Sequence, residues 1–389
     1  MPDIVTSKEC ENGKSKRNCA SLTKRLKIGT LMHLTLKVSG AWRIMDSQRT
    51  CNLEYYKNLK FDDVFTFDNM LASYISCCKG VNWKPSTTRY KLKAISNVSQ
   101  TLKKLKDGTY KSKPFSRFVR TERGKARSIQ ALHISDRVVQ KCYCDYFLVP
   151  LLSKTLIYNN GACLKGKGLK FTTDQLAAHL QKYYRRNKGN VGYVLTFDFS
   201  KFFESINHQT LLSKVRKLIL DDKLYNMFAY FVNSFDGDKG LGLGSQISQV
   251  CALFFVSDID HYVKEKLKIR FYGRYMDDGY LISNNKSELI RARDCIIKMA
   301  ADLGLTINVK KTKLWKLEKG FMFLNRHWTL TNKNFVKRKP SHTTLLRLRK
   351  RYRKIVEKND PEALERFKGS VNGFIHTFKN RRLEEYVYS

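Results

Sequence analysis

The chain has 389 residues, 42% of them apolar and 12% aromatic, enough for one large domain or two to three sub-domains around a sizeable core. Its 74 Lys and Arg stand against 34 Asp and Glu, a formal net charge of +40 spread over the whole length, and that excess suits a surface that binds phosphates and stacks bases, the alternatives being a basic protein kept soluble by its charge or one attracted to anionic membranes. No stretch reaches the roughly 18 consecutive apolar residues of a membrane span, and the ten scattered cysteines have no framework spacing, so an intracellular, cytoplasmic protein with reduced thiols and no membrane partner is expected.

In chain order, residues 1–55 form a polar, lysine-rich arm without clear periodicity. Met70, Leu71, Tyr74 and Ile75 recur at helical spacing; after a break at Pro85, so do Leu92, Ile95, Val98, Leu102 and Leu105, until Gly108 ends the run. Phe115 to Arg120 and Ala126 to Leu132 read as two strands joined by the basic turn Glu122 to Lys125. Ser135-Asp136 opens an apolar helix that closes near Pro150. Cys142-x-Cys144 within it has too short a spacer for a zinc knuckle, and His133 does not complete a ligand set. Asn160 to Gly168 is a glycine- and lysine-rich loop, Asp174 to Tyr184 an amphipathic helix, and Gly192 to Phe199 a strand. Asn207-His208 caps a helix from Gln209 to Leu220. The tail carries two helices. Leu345, Leu348, Tyr352, Ile355 and Val356 line the first among many Arg and Lys, and Asn359-Asp-Pro361 starts the second, whose apolar stripe runs from Leu364 to Phe378.

Chemistry concentrates in two places. Lys268 to Ser283 holds two β-type runs around Asp278-Gly279, a dipeptide suited to a tight hairpin turn with positive φ, which would put Asp277 and Asp278 at a hairpin tip. An ordinary solvated turn has the same signature. Asp198 ends an otherwise apolar strand, where a lone carboxylate costs free energy unless a cation meets it. Strands this far apart in sequence can lie side by side in one sheet, and the three carboxylates then converge. Hard oxygen ligands of this kind suit Mg²⁺, and two such ions about 4 Å apart can hold both oxygens of an in-line phosphoryl transfer.

Tyr275-Met-Asp-Asp278 resembles the YxDD box of reverse transcriptases, and other elements of that family stand around it in order. Glu122 to Ile129 with Asp136 to Gln140 resembles the fingers hairpin and its following helix, Thr196 to Ile206 motif A, Gly240 to Asp260 motif B, Leu305 to Lys313 motif D, and Phe321 to His327 the primer grip. The Asn160 to Gly168 loop and Ser248-Gln249 are closest in style to prokaryotic enzymes of diversity-generating elements, retrons and phage defence. The resemblance implies an α+β right-hand polymerase fold: a basic arm (1–55), fingers with the start of the palm (56–190), an antiparallel-sheet palm (191–330) and a small helical thumb (331–389).

It also implies RNA-directed DNA synthesis with two Mg²⁺ ions, or Mn²⁺ in their place. Asp198, Asp277, Asp278 and the Phe199 carbonyl are the implied metal ligands. Phe203 matches the aromatic that excludes a 2′-hydroxyl, though it is equally a core residue of the Phe202-Phe203 pair. Lys125, Arg127, Gly244 and Lys311 are implied nucleotide contacts, and Tyr275, Met276, Arg347, Lys350, Arg351 and Lys354 contacts to nucleic acid. Implied partners are a template RNA, including a dedicated non-coding RNA, a DNA or RNA primer, dNTPs, and an accessory protein or a second copy of the chain. The competing functions are an RNA-dependent RNA polymerase and a non-catalytic, maturase-like RNA-binding scaffold. Motif B departs from the family in Gly240-Leu-Gly-Leu-Gly244, where Leu243 replaces a polar residue, and Asn325 stands where the primer grip has glycine.

Overall fold

Thr66 Oγ1 accepts the N–H of Asn69 and so caps the helix Phe67–Cys78, whose Met70, Leu71, Tyr74, Cys77 and Cys78 are buried. The computed structural model describes residues 53–122, 124–378 and 382–389, so almost all of the expected basic arm lies outside the described residues. Pro85 does not break a helix but begins one, Pro85–Leu92, at a position where its missing N–H costs nothing. Non-helical Lys93 separates it from Ala94–Lys106. The expected continuous stripe fails there, because Val98 and Leu105 are buried while Leu92 and Ile95 face solvent.

The basic hairpin is present as β1 (Ser116–Glu122) and β2 (Lys125–Ala131). Helix Ile134–Tyr143, capped by the His133 ring, runs on through a π-turn, Cys144–Leu148, into Val149–Ser153. Pro150 therefore sits in the first turn of that last piece and does not close the helix. The amphipathic helix spans Leu169–Asn187, longer than expected at both ends.

The centre of the molecule is an antiparallel sheet of β3 (Tyr193–Ser200), β4 (Phe271–Tyr275), β5 (Asp278–Ser283), β6 (Thr306–Ile307) and β7 (Lys313–Lys316), in the order β4-β5-β3-β6 with β7 also paired to β3. Side chains alternate across a strand. On β3, Leu195, Phe197 and Phe199 enter the main core, together with Leu289, Ala292 and Ile296 of the helix Lys286–Asp302. Val194 enters a second core on the other face, with Leu176, Leu180, Tyr183, Phe321 and Trp328. The alternation puts Thr196 and Asp198 on that second face, and likewise Asp278 below Tyr280 and Ile282 of β5.

A smaller sheet of β8 (Phe321–Phe323), β9 (Arg326–Leu330) and β10 (Val336–Pro340) covers part of this face. Its first turn places Leu324 and Asn325 at φ 49° and 58°, so Asn325, in place of the expected glycine, is left-handed and Leu324 with it. Among the described residues the tail holds three helices, His342–Glu357, Pro361–His376 and a third, Arg382–Tyr388, beyond the two expected. Val387 of the third joins Phe367, Val371 and Ile375 in a core lined by Leu345, Leu348, Tyr352 and Ile355. Val356, expected in that seam, is exposed. Among the described residues no helix is long and apolar enough to cross a membrane, and Cys77, Cys78, Cys142, Cys144, Cys163, Cys251 and Cys295 are free thiols.

Candidate active site

Asp198 and Asp278 are direct cross-strand partners on β3 and β5. Asp277 occupies the adjoining turn, where its carbonyl accepts the N–H of Phe199 at 3.2 Å. This turn differs from the sequence reading. Tyr275 pairs with Asp278, so the reversal is made by Met276 and Asp277, with Met276 at φ 53°, and Asp278 is already strand. Gly279 does not take positive φ and is needed for another reason: a Cβ there would lie 2.3 Å from the Phe197 ring.

In this corner of the sheet burial and like charge hold the Asp277 and Asp278 carboxyls above the ordinary carboxylate value. Burial, then the charges of Asp277 and Asp198, push the Asp278 carboxyl up to about 7. Burial and Asp198 raise Asp277 as well, against the lowering influence of Lys311 and Arg127. The cation that Asp198 needs is Lys311, whose Nζ donates to both Oδ1 and Oδ2 at 2.9 Å. Burial alone would lower the Lys311 ammonium, but its bond to Asp198 and the surrounding acids hold it above the ordinary lysine value.

The donor set fits a hard divalent cation, since it is all oxygen and its charge is under-compensated. Among the described residues, however, no three carboxylate, histidine or cysteine side chains close into a single cage. Lys311 already holds both oxygens of Asp198.

The Phe199 ring is buried and stacked on Phe202 at 5.1 Å, and its backbone pairs with Ile307 of β6. Phe202 is the core member of its pair, whereas Phe203 is only partly buried and its carbonyl accepts the N–H of Leu241 at 2.9 Å. Gly244 sits at φ 99°, a conformation that suits glycine, and Ile129 Cγ2 of the fingers-like hairpin lies at ordinary contact distance. Arg127 is exposed on β2 and close enough for its charge to act on Asp277, and Lys125 begins that strand opposite Glu122. Tyr275 is partly buried, with its hydroxyl raised by burial and by neighbouring Cys163 and Asp277. Arg347, Lys350, Arg351 and Lys354 are exposed on a different element, His342–Glu357. Arg351 also stacks over Phe367 at 5.5 Å.

Several contributors were not legible beforehand. A cavity of about 330 Å³ opens beside Asp198 and Asp278, walled by Lys311, Lys313, Trp315 and the β8–β9 turn at Leu324 and Asn325. Trp315 is fixed there by its Nε1 donating to Thr196 Oγ1 at 3.0 Å, beneath the Lys313 ammonium. Tryptophan on a short strand carries no signal that it lines a site. Gly242 is wedged where a Cβ would meet Phe235 at 2.6 Å and Gln130 at 2.7 Å, which explains the extra glycine of the departed motif B.

Among curated proteins, none matches the chain. Solved structures similar to it include the telomerase of Candida albicans with a fragment of telomeric RNA (12% identity, 62% of this chain and 51% of that chain covered, TM-score 0.46). The apo telomerase of Candida tropicalis is similar too (13% identity, 64% and 52% covered, TM-score 0.45). This chain spans about half the length of these telomerases, and likeness at this level bears on neither substrate nor partner. The family model described as reverse transcriptase (RNA-dependent DNA polymerase) matches residues 104–335, well over half of the chain and all of the carboxylate corner. The mixed helices and antiparallel sheets are thus those of a right-hand polymerase fold, and the chain belongs to the reverse transcriptase family.

Proposed function

We propose that this protein copies an RNA template into DNA, with Asp198, Asp277 and Asp278 as its catalytic acids. The observation that carries the reading is the register of β3 and β5, which sets Asp198 against Asp278 with Asp277 in the adjoining turn. Such a concentration of negative charge on a basic protein has a use if a cationic ligand answers it. Asp198, Asp277, Asp278 and the Phe199 carbonyl would hold two Mg²⁺ ions, for which Mn²⁺ substitutes. The chemistry such ions supply when bound is neutralisation of charge on the attacking and leaving oxygens and activation of the primer 3′-hydroxyl.

The chain's own residues do the rest. Lys125 and Arg127 bind the incoming triphosphate, the first as a point charge and the second as a fork. Phe203, the less buried ring of its pair, bars a 2′-hydroxyl. Lys311 releases Asp198 and gives a proton to the leaving pyrophosphate oxygen. Tyr275, Met276 and Gly244 bear on the primer and templating base, and Arg347, Lys350, Arg351 and Lys354 clamp the duplex backbone. In this reading the fingers run over 56–190, the palm over 191–330 and the thumb over 331–389. The style of the loop at Asn160 to Gly168 supports a prokaryotic retroelement or antiphage defence setting with a dedicated non-coding RNA.

The test is primer extension on an RNA template with Mg²⁺, offering dNTPs or rNTPs. DNA products from dNTPs alone are expected. Extension by rNTPs alone would make the chain an RNA polymerase, and tight RNA binding without extension a scaffold.

A further inference from the structure

Behind the carboxylate turn lies a buried ion pair that the metal-ligand and nucleotide assignments do not use. Arg274, on β4, is 1% exposed and Asp260, in the helix Ser257–His261, is 0% exposed. Arg274 Nε and Nη2 donate to Asp260 Oδ1 and Oδ2 at 2.8 and 2.6 Å, and Tyr272 Oη adds a third bond to Oδ1 at 2.5 Å. Such a fork fixes the plane of the guanidinium.

Three N–H donors remain, and two of them bond main-chain carbonyls. Nη2 bonds the Leu253 carbonyl at 3.0 Å, and Nη1 bonds the carbonyl of Met276 at 2.7 Å. The main chain of Arg274 is clamped as well, its N–H donating to Asn159 O at 3.1 Å and its carbonyl accepting from Gly161 N–H at 3.0 Å.

Met276 is the left-handed residue of the turn, at φ 53°. A side-chain-bearing residue stays in that conformation only where its surroundings over-determine it. The bond from Arg274 falls on the peptide that must stay reversed for Asp277 and Asp278 to face Asp198. A buried ion pair is in general no more stabilising than a well-packed apolar pair, so stability alone does not explain this one.

We propose that Arg274, locked by Asp260, is a positioning residue for polymerisation: it holds the Met276 peptide and thereby the two turn carboxylates. The proposal rests on the polymerase reading above. Lysine cannot replace it, having no planar fork to span Asp260 and Met276 together.

The experiment uses the full chain with Arg274→Met and Asp260→Asn combined. This removes both buried charges at once and leaves Tyr272 an oxygen acceptor. Expected are a wild-type circular dichroism spectrum, unchanged template–primer affinity and unchanged dNTP KM, but a single-turnover rate lower by about 100-fold, the cost of a misplacement near 1 Å. Hydrogen exchange should quicken in the peptide spanning 275–280 and not in the helix Gln246–Phe255. A folded double variant with wild-type rate and exchange overturns the proposal. If the double variant does not fold, Arg274→Lys decides, since it keeps the charge against Asp260. A wild-type rate there overturns the proposal, a folded but slow enzyme upholds it, and failure of both variants to fold assigns the pair to folding and overturns it too. Wild-type protein run alongside separates the two levels, because absence of DNA product from it sinks the polymerase reading itself.

Discussion

Removing a carboxylate from the candidate site should make the metal-free protein more stable while it abolishes synthesis. Asp278 is strongly perturbed: partly buried, opposite Asp198 and next to Asp277, its carboxyl moves from 3.8 to about 7. At about 1.4 kcal/mol per pH unit, keeping it ionised in the fold costs on the order of 4 kcal/mol. An acid raised in the folded state holds its proton there after the unfolded chain has lost its own, so stability falls as pH rises from about 4 to about 7 and stays low above. Asp278→Asn keeps the size and removes the ionisation. Denaturant unfolding in the presence of a chelator should show the variant more stable than wild type at pH 8, by at most on the order of 4 kcal/mol, with the gap closing by pH 4. Mg²⁺ should narrow the gap from the other side by stabilising wild type only. Equal stability of the two proteins at pH 8 would refute the like-charge argument.

Phe203→Val should raise the ratio of rNTP to dNTP incorporation, because the partly buried ring is the steric check; an unchanged ratio in an active variant makes Phe203 a core residue only. Gly279→Ala, whose Cβ would sit 2.3 Å from buried Phe197, should cost about 1–3 kcal/mol in thermal unfolding, and a neutral result would mean that the β3–β5 packing is looser than described. Joint replacement of Arg347, Lys350, Arg351 and Lys354 by Ala should shorten products and flatten the salt dependence of duplex binding, by roughly 0.7–0.9 per lost phosphate contact. An unchanged slope with an intact fold places the clamp elsewhere.

The strands and their carboxylates were legible because β-branched and aromatic residues crowd the runs that hold Asp198 and Asp278. The turn was misplaced because Asp278-Gly279 has the composition of a type I′ turn, whereas Gly279 is small to admit Phe197. Leu92 and Ile95 kept helical spacing but the backbone breaks at Lys93, so the stripe never reaches the core. Pro150 reads as a stop and acts as a start, since the π-turn before it resets the helix. The contacts of greatest consequence joined residues distant in sequence: Lys311 to Asp198, Trp315 to Thr196, and Asp260 to the Arg274 that holds the Met276 carbonyl. No periodicity announces such pairs; only the register of the sheet brings them together.

The central claim is tested most directly by Mg²⁺-dependent DNA synthesis on an RNA template with Asp198→Asn and Asp277→Asn beside wild type, and RNA affinity measured on the same preparations. The acidic site predicts that both variants bind RNA as wild type does and make no DNA. Synthesis above a few per cent of wild type in either variant would contradict it.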